Sequence, residues 1–468
     1  MACGAETVEP DTDGAELEVS ASSKLGATKD EIKALGFATA GKKPVRERVR
    51  TILNDRISKL QAASPKLTED EKLARTKGAW HQVWSDEENP QVQQQPGVTA
   101  IEQQVYQVVL DNGVGFNFGL REGPFGPPGG DGKPSQGKAI FIIRFEVSGG
   151  AASKIVTFTN TYARPGTFAN LEPLETLAAS IDGCAKSADA TACLAPLRIQ
   201  ERQAGRFPRG PIGSQSPLLT DYIDGDFRVV TVPNSVTNRL DLFILERTKA
   251  PVLNLTYQDA LVAKEKRRLR DSLRFVANRL QNSRDRSASA TATLTPIFEQ
   301  LSLLAPPDAN IRRQLDSLTG AWRLLWSNEN VSTDTQQAPG RVYQLVTPRY
   351  VFNLGERPTP AGPAVFALRT PITELPDGFR IKFDQAYSRS GGFKLGESLS
   401  SISAALESDP AKAEFQPRNA PAFPNGPIGA TDDLRNLVLD GDLRVTQGKN
   451  ASTGADEVFV LEKATTVK

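Results

Sequence analysis

Short apolar runs separated by turn residues recur along most of the chain and predict a protein built mainly of β-strands. Candidate strands lie at 105–110, 114–120, 139–147 and 154–163, and no helical pattern separates them. Short strands at such a spacing are typical of an antiparallel barrel or sandwich. A parallel α/β sheet needs a helix after each strand and is therefore disfavoured.

Helical periodicity precedes each group of strands. At 44–62 the apolar residues fall three or four positions apart, and the same holds at 257–283. Thr68 and Glu71 form a capping box that opens a second, short helix. The periodic positions are Val49, Leu53, Ile57 and Leu60 in the first segment and Leu269, Leu273, Val276 and Leu280 in the second. The chain thus consists of a helical lead and strands, followed by a second helical lead and strands.

One stretch of sequence occurs twice. Asp-Gly-Asp at 224–226 precedes an apolar strand pattern, and Asp-Gly-Asp at 440–442 does the same 216 residues later (440 − 224). A Phe-Pro-x-Gly-Pro-Ile-Gly run precedes both, at 207–213 and 423–429. The order is kept over the whole chain, which indicates a tandem duplication. We predict a disordered or targeting tail at 1–43 and two domains at 44–247 and 257–468.

Paired tryptophans mark the first strand of each repeat. Even spacing predicts that both rings of a pair lie on one face of the strand, together with an aromatic residue from each of the next two strands. Such a face forms either a plain core or the wall of an apolar cavity. The residues are Trp80, Trp84, Tyr106 and Phe116 in the first repeat and Trp322, Trp326, Tyr343 and Phe352 in the second.

The Asp-Gly-Asp segments predict tight turns, since Gly tolerates positive φ and Asp accepts hydrogen bonds from nearby backbone. Arg228 and Arg444 follow these turns. Each arginine is expected either to form a local bridge with the neighbouring carboxylates or to bind a ligand at the barrel mouth.

Composition narrows the classes of function. The 56 basic residues against 55 acidic ones disfavour a general nucleic-acid binder. No apolar run approaches the ~18 residues of a membrane span. His81 is the only histidine, and the second repeat has Arg323 in its place, so a histidine mechanism cannot be common to both repeats. We predict no enzyme activity, no metal site and no cofactor. Cys184 and Cys193 form either a loop disulfide or two thiols.

Together these motifs resemble the plastid lipid-associated protein (fibrillin) family. The resemblance rests on Gly-x-Trp-x-x-x-Trp-Ser at 78–85 and 320–327, on Tyr-Ile-Asp-Gly-Asp-Phe-Arg at 222–228, and on Leu-Phe-Ile-Leu-Glu-Arg at 242–247. Two copies cover most of the chain, whereas most family members carry one. The resemblance implies two tandem lipocalin-like antiparallel β-barrels, each with an N-terminal helical lead.

The resemblance also implies a function. A hydrophobic lipid or an isoprenoid or carotenoid-type ligand would bind in the barrels, in the stroma or at the periphery of thylakoids or plastoglobules. The expected partners are that ligand and a membrane or lipid-body surface. The expected site residues are the eight aromatic residues named above with Arg228 and Arg444. The alternative is a coat protein of plastid lipid bodies with filled barrels.

Overall fold

The computed structural model describes residues 12–468 except for 88–96, 128–134, 151–152, 207–211, 235–236, 252–253, 329–340, 423–426 and 450–453. Most of both Phe-Pro-x-Gly-Pro-Ile-Gly motifs therefore lies outside the described residues. The chain divides into two compact units, Met1–Glu265 and Lys266–Lys468. The division falls inside a helix at Leu255–Asn282, rather than in the segment 248–256 between the two predicted domains.

Helices lead into each set of strands and also cover it. Those that begin in the first unit are α1 Thr12–Thr39, α2 Arg46–Ala62, α3 Glu69–Thr76, α4 Leu174–Ala185, α5 Ala190–Leu194 and α6 Leu255–Asn282. Those of the second unit are α7 Ala288–Leu304, α8 Ile311–Leu318 and α9 Leu399–Ser408. Short 3₁₀ turns lie at Lys43–Val45, Ala195–Leu197 and Pro410–Ala413. The predicted capping box of Thr68 and Glu71 opens α3.

Ten antiparallel strands form the sheet of the first unit. They are β1 Gly78–Ser85, β2 Thr99–Val109, β3 Val114–Gly123, β4 Gly137–Ser148, β5 Ile155–Pro165, β6 Gln200–Arg202, β7 Gln215–Pro217, β8 Leu219–Ile223, β9 Phe227–Asn234 and β10 Arg239–Arg247. The order is β6-β5-β4-β3-β2-β1-β10-β9-β8, and β7 pairs with β5. This sheet is not closed, because β7 ends at Pro217 and the chain re-enters the sheet as β8 on the far side of β9.

Ten strands also form the sheet of the second unit. They are β11 Gly320–Ser327, β12 Val342–Val346, β13 Tyr350–Thr359, β14 Gly362–Leu375, β15 Gly378–Lys382, β16 Gln385–Ser390, β17 Gln416–Arg418, β18 Thr431–Asp440, β19 Leu443–Lys449 and β20 Asp456–Lys463. The order is β13-β12-β11-β20-β19-β18-β15-β14-β16-β17, and β13 also pairs with β14. That pairing closes an eight-stranded antiparallel barrel, from which β16 and β17 extend.

The mainly β fold with flanking helices is confirmed, and the second unit contains the expected closed barrel. The expectation of two closed barrels is not confirmed, since the first sheet stays open. The physical difference lies in one segment. In the second unit β18 is continuous and pairs with β15 and then with β19, whereas Leu218 interrupts the equivalent segment of the first unit.

The N-terminal segment differs from the disordered tail predicted for 1–43. Helix α1 occupies Thr12–Thr39, and Ile32, Leu35 and Phe37 are buried. An added Cβ on Gly36 would lie 2.8 Å from Val83 Cγ1, so the helix packs closely on β1. Its apolar residues are few and stand near the end of an acidic, polar stretch, which is why composition alone pointed to disorder.

Helix α1 is the counterpart of α6, which the sequence does predict. Both helices have 28 residues, and the next two helices in each repeat, α2 and α7, then α3 and α8, match at 17 and 8 residues. The repeat therefore begins before residue 44 and includes three leading helices.

Candidate functional site

Each sheet has two faces, and the closed barrel shows which one points inward. Trp322 of β11 packs in one cluster with Val346 of β12, Phe379 of β15 and Leu461 of β20. Strands from opposite sides of a ring meet only in its interior, so Trp322 faces inward. We call this the inner face, and in the first unit it is the face that carries Trp80, clustered with Ile223, Val230 and Leu245.

The opposite face, here called the helix face, packs against helices. In the first unit Tyr106 and Phe116 join Leu177 and Ile181 of α4. In the second unit Tyr343 and Phe352 join Leu399, Ile402 and Leu406 of α9. These four aromatic residues are therefore core residues between sheet and helix, because a strand presents alternate residues to opposite faces.

The prediction that both tryptophans of a pair share one face is wrong. Trp80 lies opposite Arg247 and Gln82 opposite Leu245, but Trp84 lies opposite Ile244, because β1 bulges between Gln82 and Trp84. The extra residue turns Trp84 onto the helix face. The same bulge between Leu324 and Trp326 reverses the second pair. Of the eight predicted aromatic residues, only Trp80 and Trp322 lie on the inner face.

Both inner tryptophans are held by the short helix that precedes their strand. Trp80 Nε1 donates to the Thr76 carbonyl at 2.7 Å, and Trp322 Nε1 donates to the Leu318 carbonyl at 2.7 Å. Each bond satisfies a carbonyl at the end of a helix, where no intrahelical donor remains. The rings are thereby fixed at the end of the inner face next to α3 or α8.

Arg228 of the first unit also lies on the inner face, and it is fully buried. Its Nη1 donates to Gln107 Oε1 at 2.6 Å, and Gln107 Nε2 donates to Asn117 Oδ1 at 3.0 Å. Its Nε has no hydrogen-bond partner. Burial, assisted by repulsion from Arg247, lowers the pKa of Arg228 to about 9. The guanidinium thus stays protonated at neutral pH, and among the described residues its hydrogen-bond partner is an amide.

Arg444 of the second unit repeats the arrangement. Its Nη1 donates to Gln344 Oε1 at 2.5 Å, and Gln344 Nε2 donates to Asn353 Oδ1 at 2.9 Å. Its Nε donates to Asn436 Oδ1 at 3.0 Å. Burial lowers the pKa of Arg444 to about 9. We call each such chain of arginine, glutamine and asparagine the amide relay.

The local Arg–carboxylate bridge considered for these arginines is absent among the described residues. Asp224 forms the predicted turn, because the backbone N–H groups of Asp226 and Phe227 donate to its Oδ1 at 3.0 and 2.9 Å. Its other oxygen accepts a hydrogen bond from Lys29 of α1 at 3.0 Å. The aspartates therefore bind a leading helix, whereas Arg228, two residues after Asp226, lies on the inner face of the sheet.

The aspartates of the second turn fasten α6 instead. Lys266 Nζ lies 3.3 Å from Asp440, and Arg274 Nη2 lies 2.8 Å from Asp442. Arg270 also bonds Asp442. Three basic residues of α6, Lys266, Arg270 and Arg274, thus pair with the second turn.

His81 has a structural role in the fold. It is buried, with Nδ1 3.3 Å from Glu246 Oε1 and Nε2 2.9 Å from the Gln103 carbonyl oxygen. In the second unit Arg323 donates to Glu462 at 2.6 Å in the same place. Both residues bridge the first and last strands of their repeat. Within the described ranges no group of three or more His, Cys, Asp or Glu side chains could hold a metal ion.

The inner face of the first unit is filled at one end and open at the other. An added Cβ on Gly115 of β3 would lie 2.1 Å from Phe145 Cζ, so that position is filled by the phenyl ring. Four residues along, on the same face, an added Cβ on Gly119 would meet no atom of the described residues within 4 Å. The described residues therefore leave room for at least a Cβ atom next to Gly119.

A groove of about 680 Å³ lies elsewhere, on the second unit, along β15, β18 and β19. Its lining is mostly charged, and Arg380 pairs with Asp433 at 2.6 Å within it. Burial raises the pKa of Asp432 to about 6. With Leu375 and Leu434 as its apolar residues, the groove does not suit a hydrophobic molecule.

No known protein family and no curated protein matches this chain. In the part of the chain that the structure describes, no helix has the length and apolar character needed to cross a membrane.

Proposed function

We propose that the protein is a non-enzymatic binder of a hydrophobic molecule, of the lipid, isoprenoid or carotenoid type, on the inner faces of its two sheets. The observation that carries the proposal is the open space at Gly119, on a face that is filled at Gly115. An eight-stranded barrel is just wide enough for side chains or for one small ligand. A lumen filled from end to end would leave no such space.

The buried arginines support the same proposal. A filled core needs no guanidinium, and burying one without a carboxylate costs free energy. Arg228 and Arg444 nevertheless occupy equivalent inner positions in both units. They place a cation on a face that also carries apolar side chains such as Trp80 and Leu245, and ligand sites commonly combine apolar walls with a few convergent polar groups.

We also propose that the first unit is a lipocalin-like barrel of the same kind as the second. The Leu218 backbone N–H still donates to the Lys154 carbonyl at 2.9 Å, while Leu219 already pairs with Thr231 of β9. The segment from β7 to β8 thus changes its pairing partner from β5 to β9 within one residue.

The proposed location is the plastid, in the stroma or peripherally on thylakoids or plastoglobules. Its support is the sequence resemblance to plastid lipid-associated proteins. Washing isolated membranes with high salt or at alkaline pH should release the protein. A requirement for detergent would argue against peripheral attachment.

A fatty acid brominated along its tail tests the binding proposal, because bromine quenches indole fluorescence only at short range. The full chain is titrated as wild type, as Trp80→Phe with Trp322→Phe, and as Trp84→Phe with Trp326→Phe. Binding on the inner face predicts saturable quenching that the first double variant loses and the second retains. Quenching lost only in the second double variant would place the ligand on the helix face.

A coat protein of lipid bodies with filled barrels is the second candidate. The observation in its favour is the tight packing around Trp322, where Phe379 and Leu461 are also buried. Exposed leucines on the turns before α4 and α9, Leu171 at 68% and Leu395 at 80%, could contact a lipid surface. No quenching at any concentration, with all variants folded, would favour this candidate.

A further inference from the structure

Two arginines stack against one phenylalanine ring on the inner face of the first unit. The Arg121 Cζ atom lies 4.5 Å from the centroid of the Phe141 ring, and the Arg202 Cζ atom lies 4.9 Å from it. Phe125 packs against the same ring, with centroids 5.4 Å apart. We call the two arginines and Phe141 the arginine clamp of the first unit.

The second unit contains the same clamp. Arg357 and Arg418 lie 5.5 and 5.0 Å from the centroid of the Phe366 ring. The three members come from different strands, and each is displaced by its own offset, 236 for Arg121 to Arg357, 225 for Phe141 to Phe366 and 216 for Arg202 to Arg418. Loops of different length therefore separate them in the two repeats, yet the fold assembles the same three groups.

Strand register places the clamp on the inner face, beside the open space. Phe141 lies directly opposite Gly119, and Arg121 follows two residues later on β3. Asn117, where the amide relay ends, precedes Gly119 by two residues. In the second unit Phe366 lies opposite Gly355, two residues beyond Asn353 of the relay. The inner face thus runs from the buried arginine and tryptophan, along the relay, to the clamp.

Holding two cations on one ring needs a compensating charge. Burial disfavours the charged form of Arg121 and lowers its pKa; Glu87 opposes this shift, and repulsion from Arg202 adds to it. Among the described residues, Glu87 is an acidic group that attracts Arg121, and burial followed by repulsion from Asp241 raises the Glu87 pKa to about 7. Near neutral pH that carboxyl is therefore only partly ionised and compensates the pair incompletely.

A guanidinium stacked on an aromatic ring keeps N–H groups at its edge, and these fit a carboxylate in bidentate fashion. We propose that each arginine clamp binds the carboxylate head group of an amphipathic ligand, whose apolar tail lies along the inner face past Gly119. This inference rests on the proposed function and adds to it the class of ligand: a long-chain carboxylic acid rather than a neutral lipid.

Calorimetric titration of the full chain tests the ligand class. The probes are a long-chain fatty acid, the fatty alcohol of equal chain length, both below the concentrations at which they aggregate, and inorganic phosphate. The variants are Arg121→Met with Arg357→Met, and Arg349→Met as a control on the exposed turn between β12 and β13. Methionine keeps an apolar stem over the ring while removing the charge.

Wild type should bind the acid about 10- to 100-fold more tightly than the alcohol, since a hydrogen bond to a charged group contributes about 1.5–3 kcal/mol. The clamp variant should lose that preference and bind both probes like the alcohol, and Arg349→Met should behave as wild type. Equal binding of acid and alcohol by wild type would overturn the clamp but leave the proposed function standing. Binding of neither probe would overturn both, as would binding of phosphate alone.

Gly119→Leu offers a second route that removes no charge. The added side chain enters the open space without meeting another atom near its Cβ. It should abolish acid binding by the first unit while the thermal unfolding temperature stays within a few degrees of wild type. Unchanged binding in this folded variant would show that the tail does not pass Gly119.

Discussion

The two units share an inner face but differ in how their sheets are completed. In the second unit β13 pairs with β14 and a ring of eight strands closes, whereas in the first Leu218 separates β7 from β8 and the sheet stays open. The helix face also differs, because only the first unit carries a disulfide, between Cys184 of α4 and Cys193 of α5. The amide relay and the arginine clamp occur in both.

This comparison separates features that the fold can vary from features that both copies retain. The two units differ in the lengths of their loops, in the closure of their sheets and in the helices on their helix faces, although each of these features contributes to stability. The retained groups include buried polar residues, which stabilise a protein less than apolar side chains of similar volume. Their presence in both copies is consistent with the proposed ligand binding on the inner face.

The tryptophans give the largest expected effect. Trp80→Ala and Trp84→Ala should each lower the free energy of unfolding by about 3–5 kcal/mol, because both rings are buried and alanine leaves a cavity. Urea unfolding of the first unit's transition measures this. Only Trp80→Ala should also change ligand affinity when measured below the transition. An equal effect of both variants on affinity would contradict the assignment of faces.

Reduction of the disulfide is expected to have the second largest effect on stability, and this effect should be confined to the first unit. Cys184 and Cys193 are 9 residues apart, and opening a loop of that size removes about 2–3 kcal/mol. Since the chain has 3 cysteines and none lies after residue 193, the second unit should be unaffected. Thermal unfolding with and without reductant, with Cys193→Ala as control, would show one transition moving. Movement of both transitions would mean that the units do not unfold independently.

Two glycines on β3 report how well the inner face is filled. Gly115→Ala should cost about 1–3 kcal/mol, because its Cβ would overlap the Phe145 ring. Gly119→Ala should be neutral or stabilise by up to about 1 kcal/mol, since its backbone does not require positive φ. Denaturant midpoints of the two variants provide the comparison. A large loss in Gly119→Ala would show that the space is not available.

Acid titration gives the smallest effect. Burial opposes the charged form of Asp224, but hydrogen bonds led by the one from Tyr222 outweigh it and lower its pKa to about 2. An acid whose pKa falls on folding stabilises the protein above its unfolded pKa, about 3.9, and loses that contribution as the pH falls through 2. Asp224→Asn should therefore cost about 1–2 kcal/mol at pH 7 and progressively less below pH 4. A cost independent of pH would exclude the charge as its origin.

Sequence reasoning predicted the duplication, the mainly β fold and the Asp-Gly-Asp turns, because each depends on local pattern. It could not predict the bulge that reverses Trp84, since one extra residue in a strand changes no composition and little periodicity. Helix α1 was not predicted, although the sequence contains a signal for it. Its counterpart α6 was predicted, and applying the repeat offset to the N-terminal segment would have predicted α1 as well.

Part of the arginine clamp could also have been predicted from the sequence. Asn117 and Arg121 precede Asn353 and Arg357 by the same 236 residues (353 − 117 and 357 − 121). What the sequence lacks is the pairing of β4 with β5 and β3, which brings Phe141 and Arg202 to the same side as Arg121. Contacts between residues this far apart follow from register, and register depends on the whole sheet.

Native mass spectrometry of the full chain with a long-chain fatty acid directly tests ligand binding on the inner faces, because it counts the ligands bound per chain. Wild type should carry up to two, one for each inner face, and Gly119→Leu should carry one. Arg121→Met combined with Arg357→Met should carry the acid no better than the matched alcohol. A wild-type chain that carries no ligand, or a Gly119→Leu chain that still carries two, would contradict ligand binding on the inner faces.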